Sequence, residues 1–235
     1  MIKVILFDLD GTLLPMDQEI FIKSYLGLLA RGMTNEKYDP KKLVESVWIG
    51  TNSMIKNNGL KTNEEVFWDK FTEIYGENSV KELLTYFDEF YNTNFDKVKE
   101  SCGYNENSRF VIEEIKKLGY RIVLATNPIF PQIATKKRMA WAGLNPDDFE
   151  IYTTYENSSY CKPNTEYYLE ILSKLNVSPE ECLMVGNDVN EDMVASNIGI
   201  DVFLLTDCLI NKDEKDISSF KQGNLNDLLQ YIKNI

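Results

Sequence analysis

Residues 3–12 read Lys-Val-Ile-Leu-Phe-Asp-Leu-Asp-Gly-Thr, an unbroken apolar run that ends in Asp8 and Asp10, one residue apart, and then a glycine. Continuous rather than alternating hydrophobicity predicts a strand covered on both faces. The carboxyl end of such a strand, in an open parallel sheet, opens onto the crevice where ligands bind. Gly11 permits a sharp turn there. Asp and Gly are also ordinary turn residues, and Asp-x-Asp-Gly occurs in calcium loops. A calcium loop, however, needs flanking helices, further oxygen ligands and a Glu at its twelfth position, whereas this motif ends a strand.

Four more apolar runs have the same character: Arg121–Thr126, Glu150–Thr154, Cys182–Val185 and Asp201–Leu205. Helical signals separate the later ones. Phe110, Val111, Ile115 and Leu118 recur at helical spacing before a stop at Gly119, and Leu169, Leu172 and Leu175 mark a second helix. Ser178-Pro179-Glu180-Glu181 combines an N-cap, a first-turn proline and a glutamate three residues on. This alternation predicts an α/β fold with a doubly wound, Rossmann-like parallel sheet. The polar run Asn211–Gln222 reads as an exposed loop before a last helix over Asn224–Ile232.

Between Pro15 and Cys102 the rhythm breaks, and no strand signal is found. Leu43, Val44, Val47 and Trp48 form one amphipathic face. Phe67, Phe71, Ile74 and Tyr75 form a second, after a Thr62…Glu65 capping box. Val80, Leu83, Leu84, Phe87, Phe90 and Tyr91 form a third. The predicted organisation is a core domain of residues 1–15 and 103–235, with an all-helical cap of residues 16–102 inserted after the first strand, long enough to pack its own small core over a site.

Composition narrows the chemistry. The 235-residue chain has no histidine, which removes Ser-His-Asp triads, Cys-His dyads and His-containing zinc sites together. Its 37 acidic residues leave carboxylates as the natural acid–base groups. A net charge of −12 argues against a sequence-independent grip on nucleic acid or on an anionic membrane, so any phosphate must be held by a local cation. Cys102, Cys161, Cys182 and Cys208 form neither a CxxC nor a disulfide framework. Cys182 lies in an apolar run and is expected in the core, and Cys161 sits beside Lys162, where a cation would favour a thiolate. The N-terminal apolar run is too short for a signal peptide and no stretch is long enough to span a bilayer, so a cytoplasmic protein is expected.

The remaining strand ends carry polar groups. Thr126-Asn127 offers a hydroxyl and an amide to a phosphoryl oxygen, although an isolated Thr-Asn is common cap material. Lys162-Pro163 follows the third strand, where a lone lysine is usually just solvated. Gly186-Asn187-Asp188-Val189-Asn190-Glu191-Asp192 follows the fourth, an acidic cluster that is costly without a cation. Taken in order with Asp8-Leu9-Asp10-Gly11-Thr12, these pieces resemble the haloacid dehalogenase superfamily. The likeness runs along the whole chain, including a helical insert between the first and second motifs, as in the subfamily I members with a helical cap. Tyr168 matches the aromatic that follows the family's Lys-Pro.

The resemblance implies a mechanism residue by residue. Asp8 would attack phosphorus to form an aspartyl-phosphate. Asp10 would protonate the leaving oxygen and then deprotonate the hydrolytic water. Thr126, Asn127 and Lys162 would hold the phosphoryl group. Mg2+ would be bound by the Asp8 side chain, the Asp10 main-chain carbonyl and a ligand from the fourth motif. There the family commonly has Gly-Asp, whereas this chain has Gly186-Asn187-Asp188, so either Asn187 through its amide oxygen or Asp188 is the expected ligand. Asp192 would orient Lys162 or a metal-bound water.

An acid two residues after the nucleophile fits phosphoryl transfer, and dehalogenases of the superfamily need none. P-type pumps carry Thr there and need membrane helices. The expected activity is hydrolysis of a small phosphorylated metabolite. A sugar-phosphate mutase is an alternative on the same motifs, and a non-catalytic binding or regulatory module is the alternative from another class. No stretch marks an oligomeric interface.

Overall fold

A computed structural model describes residues 1–33 and 37–235. Its centre is a six-stranded sheet in the order β3-β2-β1-β4-β5-β6, with every neighbouring pair parallel. The strands are β1 (Val4–Phe7), β2 (Arg121–Leu124), β3 (Ile151–Tyr152), β4 (Cys182–Gly186), β5 (Asp201–Leu205) and β6 (Lys221–Gly223). The first five fall on the apolar runs. The sixth overlaps the polar stretch expected to be a loop: Lys221, Gln222 and Gly223 carry no hydrophobic signal and pair with β5 through backbone alone. A short, charged outer strand of this kind blunts the sheet edge.

Both faces of the sheet are buried, as the continuous runs required. Ile5 and Phe7 of β1, with Leu183 and Val185 of β4, pack with α5 (Glu106–Lys117) and α8 (Leu225–Ile232). Val4 and Leu6, with Cys182 and Met184, pack on the other face with α7 (Thr165–Leu175). Within α5 the buried stripe is Ser108, Val111, Ile112 and Ile115, while Phe110 and Leu118 are exposed; the expected stripe was rotated from the true one. Leu169 of α7 is likewise exposed, and Tyr168 and Ile171 take the buried positions.

Residues 17–101 contribute no strand among the described residues. They form α1 (Gln18–Gly32), α2 (Pro40–Ile55), α3 (Asn63–Tyr75) and α4 (Glu77–Thr93), then a 3-10 stretch over Phe95–Ser101. The Thr62–Glu65 capping box opens α3 as expected. In α2, Leu43 and Val47 are buried but Trp48 is 45% exposed. The helix α1 had not been read from the sequence. Its buried residues are only Phe21, Tyr25 and Leu29, one per turn, and Asp17 caps it through the Glu19 and Ile20 N–H groups.

Among the described residues the helical part has no separate core. Its buried side chains join the Ile5–Phe7 face of the sheet in one contiguous apolar cluster. The two crossing strands of chain lie side by side: Met16 bridges Cys102, and the Gly103 N–H donates to the Pro15 carbonyl at 2.7 Å. Aromatic packing dominates further out, with Phe67 and Phe71 stacked at 4.6 Å and Phe87 edge-on to Phe71 at 5.7 Å. Phe71 is fully buried. Phe71→Ala should therefore cost about 3–5 kcal/mol of unfolding free energy in a urea titration; a loss well under 1 kcal/mol would mean that this cluster adds little to the fold.

Candidate active site

The chain runs from β1 outward to β2 and β3 on one side, then returns to place β4 on the other side of β1. The carboxyl ends of β1 and β4 therefore flank the topological switch point, where open α/β sheets bind ligands. A cavity of about 220 Å³ lies there, and Asp8, Asp10, Thr126, Asn127, Asn187 and Asp188 all border it. Residues from three separate strand ends thus converge on one space.

Asp8 follows β1 directly, and its N–H donates to the Val185 carbonyl at 2.9 Å, which extends the β1–β4 pairing by one residue. The chain then turns tightly, with the Leu9 carbonyl accepting from the N–H groups of Thr12, Leu13 and Leu14. Gly11 is required twice over: its φ is +88°, and a Cβ there would lie 2.4 Å from Asn187 Nδ2. The Thr12 hydroxyl donates to Asn187 Oδ1 at 2.9 Å, and Asn187 Nδ2 donates to the Cys208 carbonyl at 2.7 Å. Both ends of the Asn187 amide thus stitch the first turn to the loop after β5.

Lys162 is 1% exposed and donates to Asp8 Oδ1 at 2.9 Å and Asp192 Oδ1 at 2.6 Å. Burial alone would depress its pKa, but attraction to Asp192 and Asp8 outweighs that and holds it well above the ordinary lysine value. Asp192 is pushed up by burial and pulled down by Lys162. Its second oxygen accepts from the Asp188 N–H at 2.9 Å. Space for this carboxylate exists because residue 186 is glycine: a Cβ there would sit 2.1 Å from Asp192 Oδ2. The expected link between Asp192 and Lys162 is thus present in the geometry.

Thr126 is buried, and its carbonyl accepts from the Tyr167 hydroxyl at 2.8 Å and the Thr153 hydroxyl at 2.6 Å, which fixes the loop after β2. Asn127 Nδ2 donates to Glu191 Oε2 at 3.0 Å, leaving its other N–H for a ligand. Asp188 Oδ1 accepts from the N–H groups of Asn190 and Glu191 at 2.7 and 3.0 Å. The Tyr168 hydroxyl donates to the Glu191 carbonyl at 2.7 Å, so the aromatic after Lys162-Pro163 braces the acidic loop. Cys161 is buried against the Asn63 amide at 3.3 Å, and burial pushes its thiol up, the opposite of an activated nucleophile.

Sequence reasoning gives Glu191 only as a member of the acidic cluster and does not give Arg138 at all. Glu191 lines the cavity, and burial pushes its carboxyl up to about 8. Arg138, on α6 (Gln132–Trp141), is fully buried, forms an ion pair with Asp10 and lies over the Phe130 ring at 4.5 Å. No motif marks it, because it sits on a helix far along the chain from Asp10. Its burial is the only signal, and burial is visible only in the fold. Burial, offset in part by Arg138 and reinforced by Asp8, raises the Asp10 carboxyl to about 6. Among the described residues its Oδ1 is buried without a hydrogen-bond partner. Arg138→Leu would strand the Asp10 carboxylate, so it should lower stability by about 3 kcal/mol, read from urea unfolding. A neutral effect would mean that Arg138 is not the counter-charge of Asp10.

Comparison with known proteins identifies the family and the fold. The haloacid dehalogenase-like hydrolase family matches residues 2–197. A pyrophosphatase PpaX from Bacillus cereus (strain Q1) is 27% identical over 200 residues, covering 84% of this chain and 80% of the relative. A predicted phosphoglycolate phosphatase from Haemophilus somnus 129PT superposes with a TM-score of 0.60 at 19% identity, over 98% of both chains. The HAD-hydrolase YfnB from Bacillus subtilis, bound to magnesium, gives a TM-score of 0.59 at 20% identity, over 100% of this chain and 99% of that one. With the family match spanning β1 to β4, the helical insert and all four strand-end motifs, the chain belongs to the haloacid dehalogenase-like hydrolases.

Proposed function

We propose that this hydrolase is a Mg2+-dependent phosphatase that cleaves a small phosphate monoester through an aspartyl-phosphate on Asp8, and that it is divided into a core of residues 1–15 and 103–235 and a helical cap of residues 16–102. One observation carries the reading: Asp8 and Asp10 border the same cavity, the first ion-paired with Lys162 and the second raised to about 6. A nucleophile needs its carboxylate free of a proton, and a general acid needs one to give near neutral pH. Their different surroundings support the two roles.

In the first half-reaction an Asp8 oxygen forms a bond to phosphorus while the bond from phosphorus to the ester oxygen breaks. The leaving oxygen takes the Asp10 proton and departs as an alcohol. In the second, Asp10, now a carboxylate, takes a proton from water as that water's oxygen attacks phosphorus. The acyl-phosphate bond breaks, inorganic phosphate leaves and both carboxyl groups return to their first state. Lys162 balances the charge of Asp8 throughout. The Thr126 hydroxyl and an Asn127 N–H hold phosphoryl oxygens in place, which keeps phosphorus in line with Asp8.

The donors present suit a hard divalent cation. Among the described residues, no three His, Cys, Asp or Glu side chains gather tightly enough to enclose a metal by themselves. The candidate set is instead the Asp8 carboxylate, the Asp10 main-chain carbonyl and either Asn187 or Asp188, all oxygen donors that leave positions for water and substrate, as Mg2+ prefers. When bound, Mg2+ supplies the positive charge that lets an anionic phosphate approach Asp8. Asn187 already uses both ends of its amide within the protein, whereas Asp188 Oδ2 is not engaged by the turn that holds Oδ1. The geometry favours Asp188 as the fourth-motif ligand. The PpaX relative and the magnesium-bound YfnB neighbour support the same reaction class and cation.

Asp8→Asn should abolish hydrolysis of an aryl phosphate, and chelation should do the same to the unaltered protein; turnover that survives either change rules out this mechanism. For the metal, Asp188→Asn should raise the Mg2+ concentration for half-maximal activity by about tenfold or more, and Asn187→Ala by less. The reverse order would make Asn187 the ligand.

A further inference from the structure

The phosphate end of the cavity is built from carboxylates, but the wall opposite is of another kind. Phe21 and Ile22 of α1, Val47 and Ile55 of α2, and Phe130 after β2 present apolar surface to the space in front of Asp8. Polar groups on that wall are few and uncharged. Gln18, Thr51 and Trp48 face the cavity, while the Tyr25 hydroxyl is already bonded to the Tyr91 hydroxyl at 2.8 Å. Among the described residues, no lysine or arginine borders the cavity.

The two cations nearest the site are both committed. Lys162 is held between Asp8 and Asp192, and Arg138 is spent on Asp10 and packed over the Phe130 ring. Neither reaches the cavity surface, since each is at most 1% exposed. Five carboxyl groups, those of Asp8, Asp10, Asp188, Glu191 and Asp192, border the same space. A leaving group that carried its own carboxylate or second phosphate would lose its hydration against apolar side chains and find no counter-charge. Burying an unpaired anion is among the costliest events in a binding site. An uncharged apolar group would instead bury surface favourably against the same wall.

We infer that the substrate is a phosphate monoester whose alcohol portion is uncharged and mainly apolar, seated against α1 and α2, with Gln18, Thr51 and the Trp48 indole as uncharged polar contacts on that side. This rests on the phosphatase reading above and narrows it. It excludes ligands with a second anionic group at the leaving end, among them pyrophosphate and phosphoglycolate. Fold and family are therefore retained while the specificity differs from that named for the relatives, which is a property of the wall and not of the four motifs.

A matched pair of esters tests this: benzyl phosphate and 4-carboxybenzyl phosphate, which differ by one remote carboxylate, assayed with Mg2+ alongside pyrophosphate and phosphoglycolate. Benzyl phosphate should have a kcat/KM higher by about tenfold or more than the carboxylated ester, with the difference mainly in KM. Ile22→Lys should narrow that gap by placing a cation on the wall. Equal or better use of the carboxylated ester, pyrophosphate or phosphoglycolate by the unaltered protein would overturn the substrate inference and leave the phosphatase reading intact. Hydrolysis of none of the four compounds would overturn the phosphatase reading, and this inference with it.

Discussion

The crowding of carboxylates at the ends of β1 and β4 is the constraint to which the rest of the site answers. Asp8, Asp10, Asp188, Glu191 and Asp192 share one cavity in a protein of net charge −12. Like charges so close raise one another's proton affinity unless something offsets them. The fold offsets them with buried side chains: Lys162 between Asp8 and Asp192, and Arg138 on Asp10. Each cation is aimed from an element remote in sequence, so the charge balance exists only once the sheet and α6 are assembled. The division of labour proposed for Asp8 and Asp10 rests on the same arrangement, since Asp8 is paired with Lys162 and Asp10 with Arg138.

Glycine and asparagine make this packing feasible. Without Cβ atoms at residues 11 and 186, Asn187 can close on the first turn and Asp192 can lie along β4. Asn187 also accounts for the departure from the usual Gly-Asp pattern. Its Nδ2 donates to the Cys208 carbonyl, a bond an aspartate could not make, because a carboxylate oxygen would face a carbonyl oxygen there. The substitution thus follows from the hydrogen bonding of the loop after β5, and it takes nothing from Asp8, Asp10 or Lys162.

Much of this was legible in the sequence. Buried parallel strands advertise themselves by unbroken apolar runs, and the strand-end motifs are short and local, so Asp8, Asp10, Thr126, Lys162 and the Asn187–Asp192 segment could all be named beforehand. What escaped notice had no local signature. The edge strand β6 is held by backbone pairing and carries Lys-Gln-Gly, which reads as a loop. In α1 the buried side chains Phe21, Tyr25 and Leu29 recur one per turn, while apolar Ile20 faces outward and blurs the pattern. Arg138 carries no local sequence signal that sets it apart from the other basic residues. Its role depends on where α6 lands, which is a tertiary fact.

The neck between sheet and helices bears on how the chain reaches this state. Pairing Val4 of β1 with Arg121 of β2 joins positions separated by the entire helical insert. In a disordered chain such a closure is entropically expensive and slow. The Met16–Cys102 bridge and the Gly103-to-Pro15 hydrogen bond bring the two ends of that insert together. Once this clasp has formed, β1 and β2 are joined by what is effectively a short connection. Closing this clasp thus lowers the entropic cost of pairing the central strands, with Asp8 at their tip.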